Sequence, residues 1–265
     1  KRDNNFNKFI TRFNDQFLMK LNTKTSKEQE KRIQIPFKNG INDTSLISAS
    51  SSLRNTVYFN RSNPLFGMNY TIKTSQNKNI LTSGFEGRSL TSNSIDLRWN
   101  IAKKITFKNT SSQVKKTRLS ELSQDNNYEI ISHIIEPKLT YQKGSSFRTS
   151  ILSAIKNKKN MDLYGGEKAE FRKIGLEITY NFISKGRISG GVDYISTFFS
   201  GEQGNSSPLL FDMLEGFQIG TNYTWKTSYQ RAFKNNFQIN LIYEGRASEE
   251  AKTVHTGNVQ VQLLF

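Results

Sequence analysis

Apolar and polar residues alternate along most of the chain, most clearly near its C-terminal end. There the apolar residues of one face alternate with amides on the other: Val259, Val261, Leu263 and Phe265 against Asn258, Gln260 and Gln262. A helix would need apolar spacings of three and four residues, whereas a half-buried strand has a period of two. The pattern therefore predicts an all-β protein.

The alternating segments predict about twelve strands. In chain order they are 6–22, 45–59, 66–75, 90–101, 105–118, 128–141, 147–157, 171–183, 188–199, 216–229, 237–246 and 256–265. In the first segment Phe9, Phe13 and Phe17 also lie at helical spacing. A helix over 6–22 is therefore an alternative for this segment alone.

Short and long connections alternate between the predicted strands. The short ones are 60–64, 102–104, 142–145, 184–187 and 231–236, and the long, polar ones are 23–44, 76–89, 119–127, 158–170, 200–215 and 247–255. Outer-membrane barrels have short periplasmic turns and longer external loops. We therefore predict one domain over 1–265, a transmembrane up-and-down antiparallel β-barrel of about twelve strands with both termini in the periplasm.

Composition agrees with a barrel in the bacterial outer membrane. Mean hydropathy is −0.61 although the chain has 19 Phe and 10 Tyr, which suits strands with one lipid-facing and one polar face. No apolar run of the length that a membrane-spanning helix needs is present. The absence of cysteine excludes disulfides and thiolate metal sites. The first residues, KRDNN, lack a Met and an apolar leader, so we expect a mature or truncated product.

The net charge of +16 is spread over turns and alternate strand positions rather than concentrated in a basic block. This distribution favours a solvated interior and a rim facing lipid and anionic lipopolysaccharide over a nucleic-acid partner. Charged residues with inward parity are the candidate lumen residues: Asp96, Arg98, Glu136, Lys138, Glu177, Asp193, Lys226, Glu244 and Arg246. These residues, with Arg148 and Lys156, could form salt bridges inside the barrel. An interior filled by such side chains and a selective pore are equal alternatives.

Catalytic residue types are scarce. His133 and His255 are the only histidines, and His133 shares its parity with apolar residues rather than with the predicted lumen. A Ser–His pair needs a third group that orients the imidazole, and no spacing indicates a metal, cofactor or nucleotide site. We expect a protein without enzymatic activity, and a hydrolase is the least favoured alternative.

The C-terminal residue Phe265 ends the last predicted strand. In this strand the alternate residues Val259, Val261, Leu263 and Phe265 are apolar. This ending resembles the signal that outer-membrane barrel-assembly machinery reads during insertion. The resemblance implies a role for these four residues in assembly.

Five segments carry a wider resemblance: NTVYFNRSNPLFGMNY (Asn55–Tyr70), LTSGFEGRSL (Leu81–Leu90), DMLEGFQIGTNYTW (Asp212–Trp225), NNFQINLIYEGRAS (Asn235–Ser248) and HTGNVQVQLLF (His255–Phe265). Together they resemble the C-terminal β-barrel region of large cell-envelope proteins of Bacteroidota. The resemblance implies a terminal domain of a longer chain, in a membrane that holds machines for protein export, uptake and barrel assembly.

From the periplasmic ends, the charge-rich interior and the missing catalytic set, we expect a membrane anchor or scaffold subunit of a larger envelope assembly. A channel for small solutes or a polypeptide is the alternative.

Overall fold

The computed structural model describes residues 17–25, 46–81, 84–121, 124–182, 186–201, 208–233 and 237–263. Their twelve strands form one antiparallel sheet in which each strand pairs with its chain neighbours, in the order β1 to β12. The strands are β1 Phe17–Thr25, β2 Leu46–Phe59, β3 Phe66–Leu81, β4 Gly84–Ala102, β5 Ile105–Ser120, β6 Tyr128–Lys143, β7 Phe147–Asn160, β8 Lys168–Phe182, β9 Gly186–Ser200, β10 Gly220–Ala232, β11 Phe237–Ser248 and β12 Val254–Leu263.

The all-β prediction is confirmed, as is the antiparallel order. Within the described residues β1 and β12 are the two edges of the sheet and do not pair with each other, so this sheet is not closed. Of the predicted first strand only the part from Phe17 is described, and it lies in β1. The predictions for 6–16, and for Phe265, lie outside the described residues.

Two predicted loops were wrong. Segment 76–89 mostly belongs to β3 and β4, which stay paired as far as Leu81 and Gly84, because a polar ladder satisfies its backbone groups as well as an apolar one does. Segment 200–215 contains a helix, α1, at Pro208–Leu214, and β10 begins at Gly220 rather than at 216. Two short 3-10 helices, Gln124–Asn126 and Asp162–Tyr164, lie in other connections.

The two ends of the sheet differ in their connections. At one end, here called the short-turn end, 60–65, 103–104 and 144–146 join neighbouring strands. At the other, the loop end, 121–127, 161–167, 201–219 and 249–253 do so, and the β3–β4 hairpin is the exception. Among the connections that the structure describes, the predicted rhythm is therefore broken only at that hairpin.

The face of the sheet that packs against α1, here called the inner face, carries the buried core. Its residues come from β6, β8, β9 and α1: Tyr128, Ile130, Ala169, Phe171, Ile195, Phe199, Met213 and Leu214. Because β6 and β9 are three strands apart in the sheet, their side chains can meet α1 together only if the sheet curls around it. The inner face is therefore concave here.

The opposite face, here called the outer face, exposes large apolar side chains. Val192 is 57% exposed, Ile151 58% and Ile174 61%. Leaving this much apolar surface in water is unfavourable, and exposed patches of this kind mark interaction or membrane surfaces. No helix in the described ranges has the length and apolar character needed to cross a membrane.

Candidate functional site

The α1 segment is fastened to the inner face first through Asp212. The hydroxyl of Tyr128 donates to the Asp212 carboxylate, and Lys116 Nζ lies 2.7 Å from its second oxygen. Lys158 Nζ donates to the Asp212 backbone carbonyl at 2.8 Å. One acidic residue therefore ties α1 to β5, β6 and β7.

Glu215, directly after α1, makes the second attachment. Its carboxylate lies 2.9 Å from Lys158 Nζ and 3.0 Å from Lys156 Nζ, and Arg246 donates to the adjacent Gly216 carbonyl at 2.9 Å. Burial raises the pKa of Glu215, but the hydrogen bonds and charges of Lys158 and Lys156 outweigh burial and hold that pKa below its usual value. At neutral pH this attachment is therefore ionic.

All nine predicted lumen charges lie on the inner face, by their parity with the residues that contact α1. Lys138 pairs with Glu177 at 2.6 Å across the intervening β7, and Lys226 pairs with Glu244 on the next strand. Asp193 pairs with Lys173 at 2.8 Å, a partner that the sequence did not suggest. These three acids are thus compensated.

The remaining predicted charges have other roles. Asp96 accepts a hydrogen bond from Thr110 at 2.7 Å, and Arg98 donates to the Asn63 carbonyl in a short turn at 2.7 Å. Arg246 holds the α1 segment as described above. Glu136 is exposed on the inner face and has no hydrogen-bond or ion-pair partner among the described residues.

Sequence reasoning missed the residues that hold α1, because the polar pattern of 200–215 predicts a loop. The missed set is Lys116, Tyr128, Lys158, Asp212 and Glu215. One signal was present: Leu209, Leu210, Met213 and Leu214 recur at helical spacing, and all four contact the core. That spacing predicts an amphipathic helix.

Beside the α1 attachments the inner face has a cavity of about 590 Å³ between β7 and β12. Its charged lining comprises Arg148, Arg187, Lys226 and Arg246 with Glu177, Asp193 and Glu244. The three acids have the ion pairs given above, whereas Arg148 and Arg187 have no ion-pair partner in the described part of the chain. The cavity therefore has a surplus of guanidinium groups, which would favour an anion.

The apolar residues of the outer face form a band, here called the outer belt, that is oblique to the hydrogen-bonded rows of the sheet. On β3 the belt extends towards the loop end as far as Ile72, which lies in the same row of paired residues as Asn93, Gln113 and His133. On β8 it reaches only Ile174, in the row of Tyr194, which lies nearer the short-turn end. A level apolar belt has this course when the strands are tilted relative to it, as in barrels.

Both histidines lie on the outer face. Tyr243 Oη lies 2.8 Å from His255 Nδ1, and the rings of Trp225 and His255 are 5.8 Å apart. His133 is exposed, and in the described residues neither histidine has a serine as hydrogen-bond partner. No group of His, Asp and Glu in those residues has the arrangement of a metal site.

No family model matches the chain, and no curated protein matches it significantly. The resemblance to envelope proteins of Bacteroidota stays a prediction.

Proposed function

We propose that this chain is an outer-membrane β-barrel, closed by pairing of β1 with β12, that serves as a membrane anchor or scaffold subunit of a larger envelope assembly. The observation that carries the proposal is the contrast between the two faces. The outer belt exposes large apolar side chains such as Ile174 and Val192, while the inner face carries ion pairs such as Lys138–Glu177 and Lys173–Asp193. Lipid and a polar interior are the surroundings that suit these two faces.

An anchor is favoured over an open pore because α1 occupies the concave inner face at the loop end. Asp212 and Glu215 together bind it to β5, β6 and β7, and Met213 and Leu214 are buried against the core. Several charge-assisted bonds and an apolar contact would have to be broken together to remove it. Solute flow through this end is therefore obstructed.

The partners in this proposal are outer-membrane lipid and lipopolysaccharide, other envelope proteins, and the barrel-assembly machinery during insertion. The exposed strand β12 carries Val259, Val261 and Leu263 on its outer face, where an assembly factor would have access to them. In this proposal the short-turn end, where β1 begins and β12 ends, faces the periplasm.

The two tryptophans provide a direct test. Trp99 is 51% exposed on the outer face and Trp225 lies on the same face. In vesicles containing brominated phospholipid, we expect strong quenching of tryptophan emission, and heat-modifiable migration on gels. A protein that stays soluble after detergent removal, with unquenched emission, would contradict the membrane assignment.

A channel with anion preference is the second candidate, because Arg148 and Arg187 leave the cavity with unpaired positive charge among the described residues. A steady, anion-selective current through the unmodified protein in planar bilayers would favour this candidate over the scaffold.

A further inference from the structure

The outer belt is interrupted on β5. After Ile105 and Phe107, the next outer-face residues of this strand are Asn109, Ser111 and Gln113, here called the polar stripe. Each side chain of the stripe carries an amide or a hydroxyl group.

Asn109 and Ser111 lie inside the outer belt, and Gln113 lies at its margin towards the loop end. Asn109 pairs with Leu97 on β4 and Pro137 on β6, and Ser111 pairs with Ile95 and Ile135. Ile95 is 44% exposed and Ile135 50% exposed, so apolar surface continues on both sides. In the row of Gln113 the neighbours are also polar, Asn93 and His133.

The hydrogen-bonding groups of the stripe are only partly satisfied within the chain. Asn109 Nδ2 donates to Ser111 Oγ at 3.0 Å. Within the described residues, Gln113, Asn93 and His133 have no hydrogen-bond partner for their side chains. Lipid tails offer neither donors nor acceptors, so uncovered amides at this depth are costly. A protein surface that offers hydrogen bonds would remove this cost.

We propose that the polar stripe is the contact between two copies of this chain, related by a two-fold axis along the membrane normal. The inference rests on the proposed function, since it requires β5 to face lipid. Such an axis brings each residue near its own copy at the same membrane depth. Amides and hydroxyls both donate and accept hydrogen bonds, so the stripe is complementary to itself.

Charge agrees with a second copy as the occupant. The stripe is uncharged, and the next outer residue on β5, Lys115, is neutralised by Glu129 at 2.5 Å. Two copies therefore meet without unpaired like charges, which would oppose association.

The test is disulfide cross-linking in native membranes, because the chain contains no cysteine. Ser111→Cys and Gln113→Cys are each oxidised and separated on non-reducing gels. We expect a product of twice the chain mass from at least one of them. The matched control is Val192→Cys, at an exposed outer-face position on β9, and it should stay monomeric.

A second variant removes the stripe without adding a thiol: Asn109→Leu, Ser111→Val and Gln113→Leu combined. We expect the unmodified protein to be dimeric in mild detergent and this variant to be monomeric, with heat-modifiable migration retained in both.

Three results would overturn the dimer. The first is a heat-modifiable, membrane-embedded protein that forms no cross-link at either position. The second is a cross-linked product of another mass, which would identify a different protein as the occupant. The third is cross-linking of the Val192→Cys control to the same extent. Failure of the membrane assignment is distinguishable, because the protein would then lack heat-modifiable migration and remain soluble without detergent.

Discussion

Lys158 illustrates how the inner face accommodates a buried charge. Its side chain is only 6% exposed, yet it pairs with Glu215, donates to the Asp212 carbonyl and lies 5.1 Å from the Phe171 ring centroid. An unpaired ammonium ion in such a position would cost several kcal/mol. The charge is therefore tolerated only while the α1 segment stays in place.

The attachment of α1 should depend on pH through Glu215. Because the folded-state pKa is lowered, its stabilising contribution is complete above the usual glutamate pKa, about 4.3. The contribution is lost as the pH falls through the lowered folded value. We expect faster hydrogen exchange of α1 amides below that range, and Glu215→Gln should show fast exchange already at neutral pH.

The control for this experiment is Glu250→Gln, a change at an exposed glutamate in the β11–β12 connection at the same end. It should keep the exchange of α1 slow at neutral pH. Equal exchange in the Glu215→Gln variant and the unmodified protein would contradict the role assigned to Glu215.

Gly245 is required by a close approach on the outer face. A Cβ atom there would overlap the ring of Trp225, which lies over the glycine. We expect Gly245→Leu to displace Trp225 from His255 and therefore to change the emission of Trp225, measured in a Trp99→Phe background. The substitution should also lower the free energy of unfolding by about 1–3 kcal/mol. Gly257→Leu is the matched control, because a Cβ atom at that position would have no neighbour within 4 Å; an unchanged spectrum in Gly245→Leu would refute this packing.

Among the elements, β6 shows how a proline fits inside a sheet. Pro137 is paired with Asn109 on β5, but the pairing with β7 stops at Ile135 and resumes at Lys138. Proline has no N–H to donate, so the gap falls on the β7 side. The strand keeps its direction, and its two faces stay in register.

The strand faces make a prediction for charge substitutions. Val192→Lys would place an ammonium group on the outer face of β9, which faces lipid in the proposed barrel. We expect it to lower the free energy of unfolding by about 2–4 kcal/mol if the position is near the bilayer centre. Thr256→Lys, on the cavity side of β12, should cost much less. Urea unfolding of both variants in phospholipid vesicles measures the difference, and equal costs would argue against a lipid-facing outer belt.

At the scale of the molecule, the oblique outer belt and the exposed edge strand β12 are both accounted for by a barrel closed with tilted strands, because closure requires tilt and stagger. Closure also leaves no unpaired backbone edge in lipid. The interior of such a barrel would contain the α1 segment towards the loop end and the guanidinium-lined cavity beside it.

This arrangement predicts how conductance should respond to loss of the α1 attachments. The unmodified protein should give no steady current in planar bilayers. Asp212→Asn with Glu215→Gln removes the ion pairs with Lys116, Lys156 and Lys158, so we expect current with anion preference, because positive charge is then uncompensated. Glu250→Gln should remain silent. A double variant that conducts no better than the unmodified protein would show that α1 does not obstruct the interior.

The sequence alone determined most of the strands and the parity of their faces, because both depend on alternation between near neighbours. Asp96, Lys138 and Glu244 could be assigned to the inner face on that basis. The apolar face of β12 was equally predictable.

Only the tertiary structure decided which charges meet and what occupies the concave face. Lys138 reaches Glu177 across β7, and Asp193 meets Lys173 rather than a predicted partner, because these pairs depend on register and curvature. The attachment of α1 joins Asp212 to Tyr128, far apart in the chain. A pattern of near neighbours carries no information about such distances, so the contacts that hold α1 could not be predicted from it.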